Sequence, residues 1–241
     1  MRVLVTRPEP AASRTAAELR RRGHAPLLLP LAAAEYDSDA LRTALARPHA
    51  AIAVTSAEAL RALATLPDYP AAYMDTACFA VGEKTGDAAR KLGFSKVFTG
   101  NSDGTALARL IMEQVGEAAS VDRPVLYLAG SPRAASFETE LKALTMPFEV
   151  CECYRMRPLA PSSSEIGELL GKGSIDVALL YSSESAHRLF DQTLLAVDPD
   201  RFSNTRFLCL SEKVAAAVPE VYSQRTQAAP VPTEASLLSL L

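Results

Sequence analysis

Several short stretches of this 241-residue chain gather side chains fit to hold an anion: Thr6-Arg7, Thr55-Ser56, Gly82 with Thr85, Gly130-Ser131 with Arg133, Ser182-Ser183, and Ser211 with Lys213. Each follows a short apolar run and precedes a helical pattern. In open α/β sheets ligands lie beyond the carboxyl ends of the strands, where helix N-termini present unpaired N–H groups and a partial positive charge. Hydroxyls, glycines, Arg and Lys at such points suit carboxylates or phosphates. The candidate contacts are Arg7, Thr55, Ser56, Gly82, Thr85, Gly130, Ser131, Arg133, Ser182, Ser183 and Lys213. They include no histidine, no carboxylate pair and no nucleophile beside a base; His24, His49 and His187 stand in unrelated local contexts.

Each position also has a plainer reading. Thr55 with Glu58 fits a helix capping box, and Ser182 fits an N-cap. Gly82 fits a tight strand-to-helix turn, and Arg7 and Arg133 fit ordinary surface arginines. What raises the anion-site reading is recurrence. Val54-Thr55-Ser56-Ala57-Glu58 resembles Leu180-Tyr181-Ser182-Ser183-Glu184, Val81-Gly82-Glu83-Lys84-Thr85 resembles Leu210-Ser211-Glu212-Lys213-Val214, and the apolar run from Val3 to Pro8 resembles that from Val125 to Pro132. The offsets fall between about 120 and 130 residues, the mark of one duplicated unit.

The elements that must carry these loops alternate. Apolar runs at 3–6, 25–30, 50–55, 78–81, 96–99, 125–129, 148–154, 176–181 and 206–210 read as strands, with a short further strand near Val221. Between them lie helical patterns at 8–22, 37–45, 57–66, 83–92, 104–116, 134–144, 164–170, 184–195 and 212–218, and a Thr-capped closing helix at 233–241. Such alternation predicts an α/β fold with parallel sheets covered on both faces. Roughly ten short strands are better divided between two sheets of about five, as two similar flavodoxin-like domains.

The stretch from Val150 to Pro158 departs from this pattern. A strand buried on both faces should be nearly all apolar, whereas this one carries Glu152, Arg155 and Arg157. Strict period-two alternation would place Val150, Glu152, Tyr154 and Met156 on one face and Cys151, Cys153 and Arg155 on the other. It reads as a connector whose partner is the extended segment before residue 37. Domain 1 is then 1–31 plus 158–241, domain 2 is 37–150, and residues 32–36 and 151–157 form a two-stranded antiparallel connector acting as a hinge.

The net charge of −3 argues against a nucleic-acid partner, since a phosphate-neutralising surface shows as a basic excess. Arg20 to Arg22 is the main cationic cluster, placed where cations favour a helix C-terminus. The cysteines, Cys78, Cys151, Cys153 and Cys209, have neither Cys-x-x-Cys spacing nor neighbouring histidines and read as reduced core thiols. There is no tryptophan and no secretory leader pattern, and no window reaches about 18 apolar residues. The expectation is a cytoplasmic protein without membrane contact, and nothing requires more than a monomer.

Taken together, Val-Leu-Val-Thr-Arg-Pro at 3–8, Val54-Thr55-Ser56, Ala80 to Thr85 with Leu92-Gly93-Phe94, Leu126 to Arg133, Cys153-Tyr154-Arg155-Met156-Arg157-Pro158 and Leu180-Tyr181-Ser182-Ser183 resemble the uroporphyrinogen-III synthase family over nearly the whole length. The resemblance implies two α/β domains, the first from both chain ends, joined by two antiparallel connector strands with the site between. It implies a substrate, the linear tetrapyrrole hydroxymethylbilane with its eight carboxylates, closed with loss of water and inversion of ring D, and no cofactor or metal. Tyr154 matches the family's connector tyrosine and is the catalytic candidate; Thr85 matches a family threonine. Ser211 and Val214 stand where the family favours Gly and Thr, which weakens any hydroxyl role at Val214. A non-catalytic two-domain anion sensor is the alternative. A flavodoxin-type cofactor binder fits less well, because no Gly-x-Gly-x-x-Gly or Walker loop is present.

Overall fold

A computed structural model describes residues 1–67, 71–101, 103–171, 173–191 and 199–241. In chain order the elements are β1 (Arg2–Val5), α1 (Ala11–Arg21), β2 (Ala25–Leu28), β3 (Ala32–Tyr36), α2 (Ser38–Leu45), β4 (Ala51–Val54), α3 (Ala57–Ala64), β5 (Ala77–Ala80), α4 (Glu83–Leu92), β6 (Val97–Thr99) and α5 (Gly104–Val115). There follow β7 (Val125–Ser131), α6 (Ser136–Ala143), β8 (Phe148–Pro158), α7 (Ser163–Leu170), β9 (Val177–Leu180), α8 (Ser183–Asp191), β10 (Arg206–Cys209), α9 (Glu212–Ala215), β11 (Thr226–Ala228) and α10 (Glu234–Leu238). Two compact units separate: Met1–Ala33 with Arg157–Leu241, and Ala34–Met156.

The first unit is built on a parallel sheet in the order β11-β10-β9-β1-β2. Its inner strands β1, β9 and β10 are largely apolar and buried because both faces are covered. Along β1, Leu4 joins one cluster with Ala178, Leu180 and Phe207, while Val3 and Val5 join another with Val177, Leu179, Leu208 and Leu237. Each fully buried Leu or Val contributes about 1.5–3 kcal/mol relative to exposure.

The second unit repeats the plan. Its sheet runs β3-β8-β7-β4-β5-β6, parallel from β8 to β6. All four residues of β4 are buried, Ile52 and Val54 in one cluster, Ala51 and Ala53 in the other. Stripped of β3, the order β8-β7-β4-β5-β6 corresponds strand for strand to β2-β1-β9-β10-β11, the pairing of halves that the sequence repeat predicts.

Strand β3 lies at the edge beside β8. The Asp37 N–H donates to the Cys153 carbonyl and the Leu159 N–H to the Leu31 carbonyl, at 2.9 and 3.0 Å. One strand's numbers rise as the other's fall, so the pair is antiparallel. Asp37 then turns the chain into α2, its side chain accepting from the Ala40 N–H.

Two expectations need correction here. The segment near Val221 is a 3-10 helix, Glu220–Arg225, and the strand is β11 just after it. The alternation expected within 148–158 is broken by a β-bulge: Ala129 pairs with Glu152 but Gly130 with Tyr154, leaving Cys153 as an extra residue. After the bulge Tyr154 packs with Cys151 and Cys153, not with Val150, because one inserted residue re-aims the rest of the strand. Of the helix expected over 184–195, residues 192–195 lie outside the described ones. The cysteines are free and buried, and burial pushes the Cys78 thiol up to about 12.

Candidate functional site

In the second unit the parallel register sets the last residues of β4 and β5, Val54 and Ala80, side by side and level with Leu128 of β7, which continues to Ser131. The residues just beyond them emerge together at one edge. Ser56 caps α3, its hydroxyl accepting the Glu58 N–H at 3.1 Å. The capping box expected from Thr55 is therefore replaced by a Ser56 cap. The Thr55 hydroxyl instead lies 2.8 Å from that of Tyr127. Gly82 caps α4 in extended backbone without a side-chain partner, leaving that helix end open. Thr85 is buried in the first turn of α4.

Tyr154 reaches the same edge from β8. Its ring lies so close to Gly130 that a Cβ there would fall 2.2 Å from its Cζ. The glycine thus has a steric reason that no anion supplies. Burial pushes the Tyr154 phenol above its ordinary value, against an opposing hydrogen bond with Ser56, so it stays protonated at neutral pH. A protonated phenol held by a bulge and a glycine is a fixed hydrogen-bond donor.

Two pockets flank this edge. The larger, about 440 Å3, is bordered by Tyr154, Tyr36, Asp37, Asp39, Glu35, Glu152 and Arg155, an acidic lining that repels carboxylates. The smaller, about 300 Å3, is bordered by Thr55, Tyr127, Gly104, Ser136 and Asp103. Its hydroxyls and the adjacent start of α5 make it the more favourable of the two for an anion, although Asp103 is committed to capping α5. Tyr36, also on the larger pocket, donates to Glu58 at 2.6 Å, and burial with that contact pushes it up to about 12. Arg133 is held by Glu138 at 2.6 Å and Glu152 at 2.5 Å, which raise its pKa further. Ser131 ends β7 beside Arg155.

The first unit shows the corresponding edge. Ser182 caps α8, accepting the Ser185 N–H, and Ser183 donates to the Lys213 carbonyl at 3.1 Å, tying α8 to α9. The Lys213 side chain is exposed. Val214 is a core residue, 5% exposed, and offers no polar group. Arg7 lies 4.1 Å over the Tyr181 ring and pairs with Glu234 at 2.9 Å. Thr15 and Tyr181 donate to the same carboxylate oxygen.

The predicted residues thus fall into two groups: Thr55, Ser56, Gly82, Thr85, Gly130, Ser131, Arg133 and Tyr154 on one unit, Arg7, Ser182, Ser183 and Lys213 on the other. Sequence reasoning missed Tyr127, Thr15, Tyr181 and Glu234 as polar partners. Tyr181 had a signal, since it stands opposite Thr55 in the repeat. Glu234 had none, being brought from a distant part of the chain. Among the described residues no group of three or more His, Cys, Asp or Glu side chains could hold a metal ion, and no helix is long and apolar enough to cross a membrane.

The model of the uroporphyrinogen-III synthase HemD family matches residues 13–239. Among solved structures, uroporphyrinogen-III synthetase from Helicobacter pylori 26695 is similar with a TM-score of 0.63 at 18% identity, covering 100% of this chain and 98% of that one. A mutant uroporphyrinogen III synthase from the extremely thermophilic bacterium Thermus thermophilus is similar with a TM-score of 0.51 at 18% identity, covering 90% and 87%. At that identity the likeness is one of fold. No curated protein matches the sequence.

Proposed function

The chain belongs to the uroporphyrinogen-III synthase family, whose members are cyclising lyases of tetrapyrrole biosynthesis, and from that premise we propose how its residues act on hydroxymethylbilane. The reaction closes the linear tetrapyrrole to uroporphyrinogen III with loss of water. Departing hydroxide takes a proton and leaves as water, giving a resonance-stabilised azafulvenium cation. The substituted carbon of ring D attacks to form a spiro intermediate, which fragments and recloses with that ring inverted. Loss of a proton from the newly bonded ring restores its aromaticity.

The electron-rich pyrrole supplies most of the driving force, so the protein's task is orientation. Unassisted closure joins the unsubstituted carbon and gives the wrong isomer; holding ring D the other way round is catalysis by positioning. Tyr154 assists the hydroxyl's departure as a hydrogen-bond donor. The observation that carries this role is its placement, turned by the bulge and seated on Gly130 at the strand ends with its phenol protonated. Thr55, Ser56, Gly82, Thr85, Gly130 and Ser131 receive substrate carboxylates through hydroxyls and open N–H groups, with Arg7, Arg133, Ser182, Ser183 and Lys213 supplying further contacts and charge. No cofactor is needed for these steps. The domains are 1–31 with 158–241 and 37–150, hinged at 32–36 and 151–157, and the enzyme works as a cytoplasmic monomer without nucleic-acid or membrane partners.

The experiment is product-isomer analysis. Freshly generated hydroxymethylbilane is supplied, the products are oxidised, and type I and type III porphyrins are separated. Protein-dependent type III product is expected; type I alone, at the spontaneous rate, would leave an anion-binding protein.

A further inference from the structure

The Arg7 side chain sits in a finished carboxylate site that is already full. Three donors from three separate elements converge on a single Glu234 oxygen: the Arg7 guanidinium after β1 at 2.9 Å, the Thr15 hydroxyl on α1, and the Tyr181 phenol after β9 at 3.2 Å. Arg7 is further placed over the Tyr181 ring, 4.1 Å from its centroid, and contacts Thr15 at 3.2 Å. A planar guanidinium held between a ring and a hydroxyl is preorganised for carboxylates. Burial works against charge on Glu234, yet the Thr15 and Arg7 contacts outweigh it and hold the carboxyl below its ordinary range.

The arrangement is more than α10 needs for its seat. Leu237 and Leu238 are buried in the core, Arg22 donates to the Leu238 carbonyl at 2.8 Å, and Arg206 donates to the Leu240 carbonyl at 3.0 Å. An ion pair with side chains 23% and 34% exposed adds little stability and leaves the carboxylate exchangeable. The repeat-related loop of the other unit shows the same device, Arg133 held by Glu138 and Glu152.

We propose that Arg7, Thr15 and Tyr181 form a carboxylate-binding cradle which Glu234 fills in the free protein and which a carboxylate of the ligand takes over, making Glu234 an internal competitor. That the ligand is the bilane rests on the function proposed above; the cradle itself does not.

The test uses propionate as probe, on the full chain. Thermal midpoints are measured with and without it for wild type, Glu234→Ala, Glu234→Gln and the double variant Glu234→Ala/Arg7→Gln. Propionate is expected to raise the midpoint of Glu234→Ala by about 1–3 °C while leaving wild type and the double variant unmoved. Glu234→Gln keeps acceptors for Thr15 and Tyr181 without the charge and provides a folded reference. With hydroxymethylbilane, KM of Glu234→Ala or Glu234→Gln is expected to fall about 2- to 5-fold, the worth of releasing one partly exposed ion pair. No propionate effect on Glu234→Ala, or an equal effect in the double variant, would overturn the cradle. A propionate effect in a protein that forms no type III product would uphold the cradle and refute the catalytic reading.

Discussion

The two units answer the same question at their strand ends in different ways. In the first, β1 and β2 stop level, at Val5 and Leu28. The space beyond is occupied by Arg7, Tyr181, Thr15 and Glu234, a polar cluster that satisfies itself. In the second, the equivalent pair β7 and β8 runs on past the edge through Glu152, Tyr154 and Arg155, and the bulge rolls Tyr154 over Gly130. One edge is closed by an ion pair, the other by an aromatic ring with a hydroxyl to offer. Under the function proposed above, the two halves keep one strand order and divide the work, with the Arg7 cluster on one copy and the Tyr154 phenol on the other.

The sharpest way to break this contrast is to remove each phenol. Tyr154→Phe is expected to lower kcat by about 10- to 1000-fold, as for loss of a positioned donor, without abolishing type III product. Tyr181→Phe, which takes away one of three donors to Glu234, should cost under about 5-fold. Comparable losses in both variants, followed by single-turnover porphyrin formation, would erase the division of labour; total inactivity of a folded Tyr154→Phe would make it an obligatory acid.

Gly130→Ala probes the same seat through packing. The added methyl has no room beside the Tyr154 ring, so it should displace that side chain, cost about 1–3 kcal/mol in denaturant unfolding and reduce activity with it. Unfolding indistinguishable from wild type would show that the ring swings away freely.

The smallest effect is on pH dependence. Burial pushes Tyr36 and Tyr181 up to about 12, from the ordinary value of 10.0. A raised folded-state value means stability is fully present below pH 10 and is lost as pH climbs toward 12, because the unfolded chain releases those protons first. Equilibrium unfolding across that window should show the decline, and Tyr181→Phe should flatten part of it. A curve unchanged by the substitution would mean that the half-buried Tyr181 phenol is not shielded from solvent.

Much of this was open to reading from the chain. Short apolar runs alternating with amphipathic helices require covered parallel sheets, and the Thr55-Ser56 and Tyr181-Ser182 repeats identify which strands are equivalent, because hydrophobic period and turn chemistry are local properties. The polar residues within 150–158 likewise mark a strand unlike the rest. The strand ends with their Ser, Thr, Gly and Arg residues are visible for the same reason: each loop carries its own signal.

What the sequence could not decide was anything depending on one inserted residue or on a distant partner. Period two assigns Tyr154 to the face of Val150; only pairing with β7 creates the bulge that turns it, since a bulge is a property of two strands together. Gly130 resembles an anion-loop glycine until Tyr154 is laid across it. Arg7 resembles a free cation until Glu234, 227 residues further on, meets it. By itself the sequence determined the layers, the repeat and the chemical character of each loop. The tertiary structure decided which side chains face one another, because orientation and charge pairing arise only where separate strands and helices come into contact.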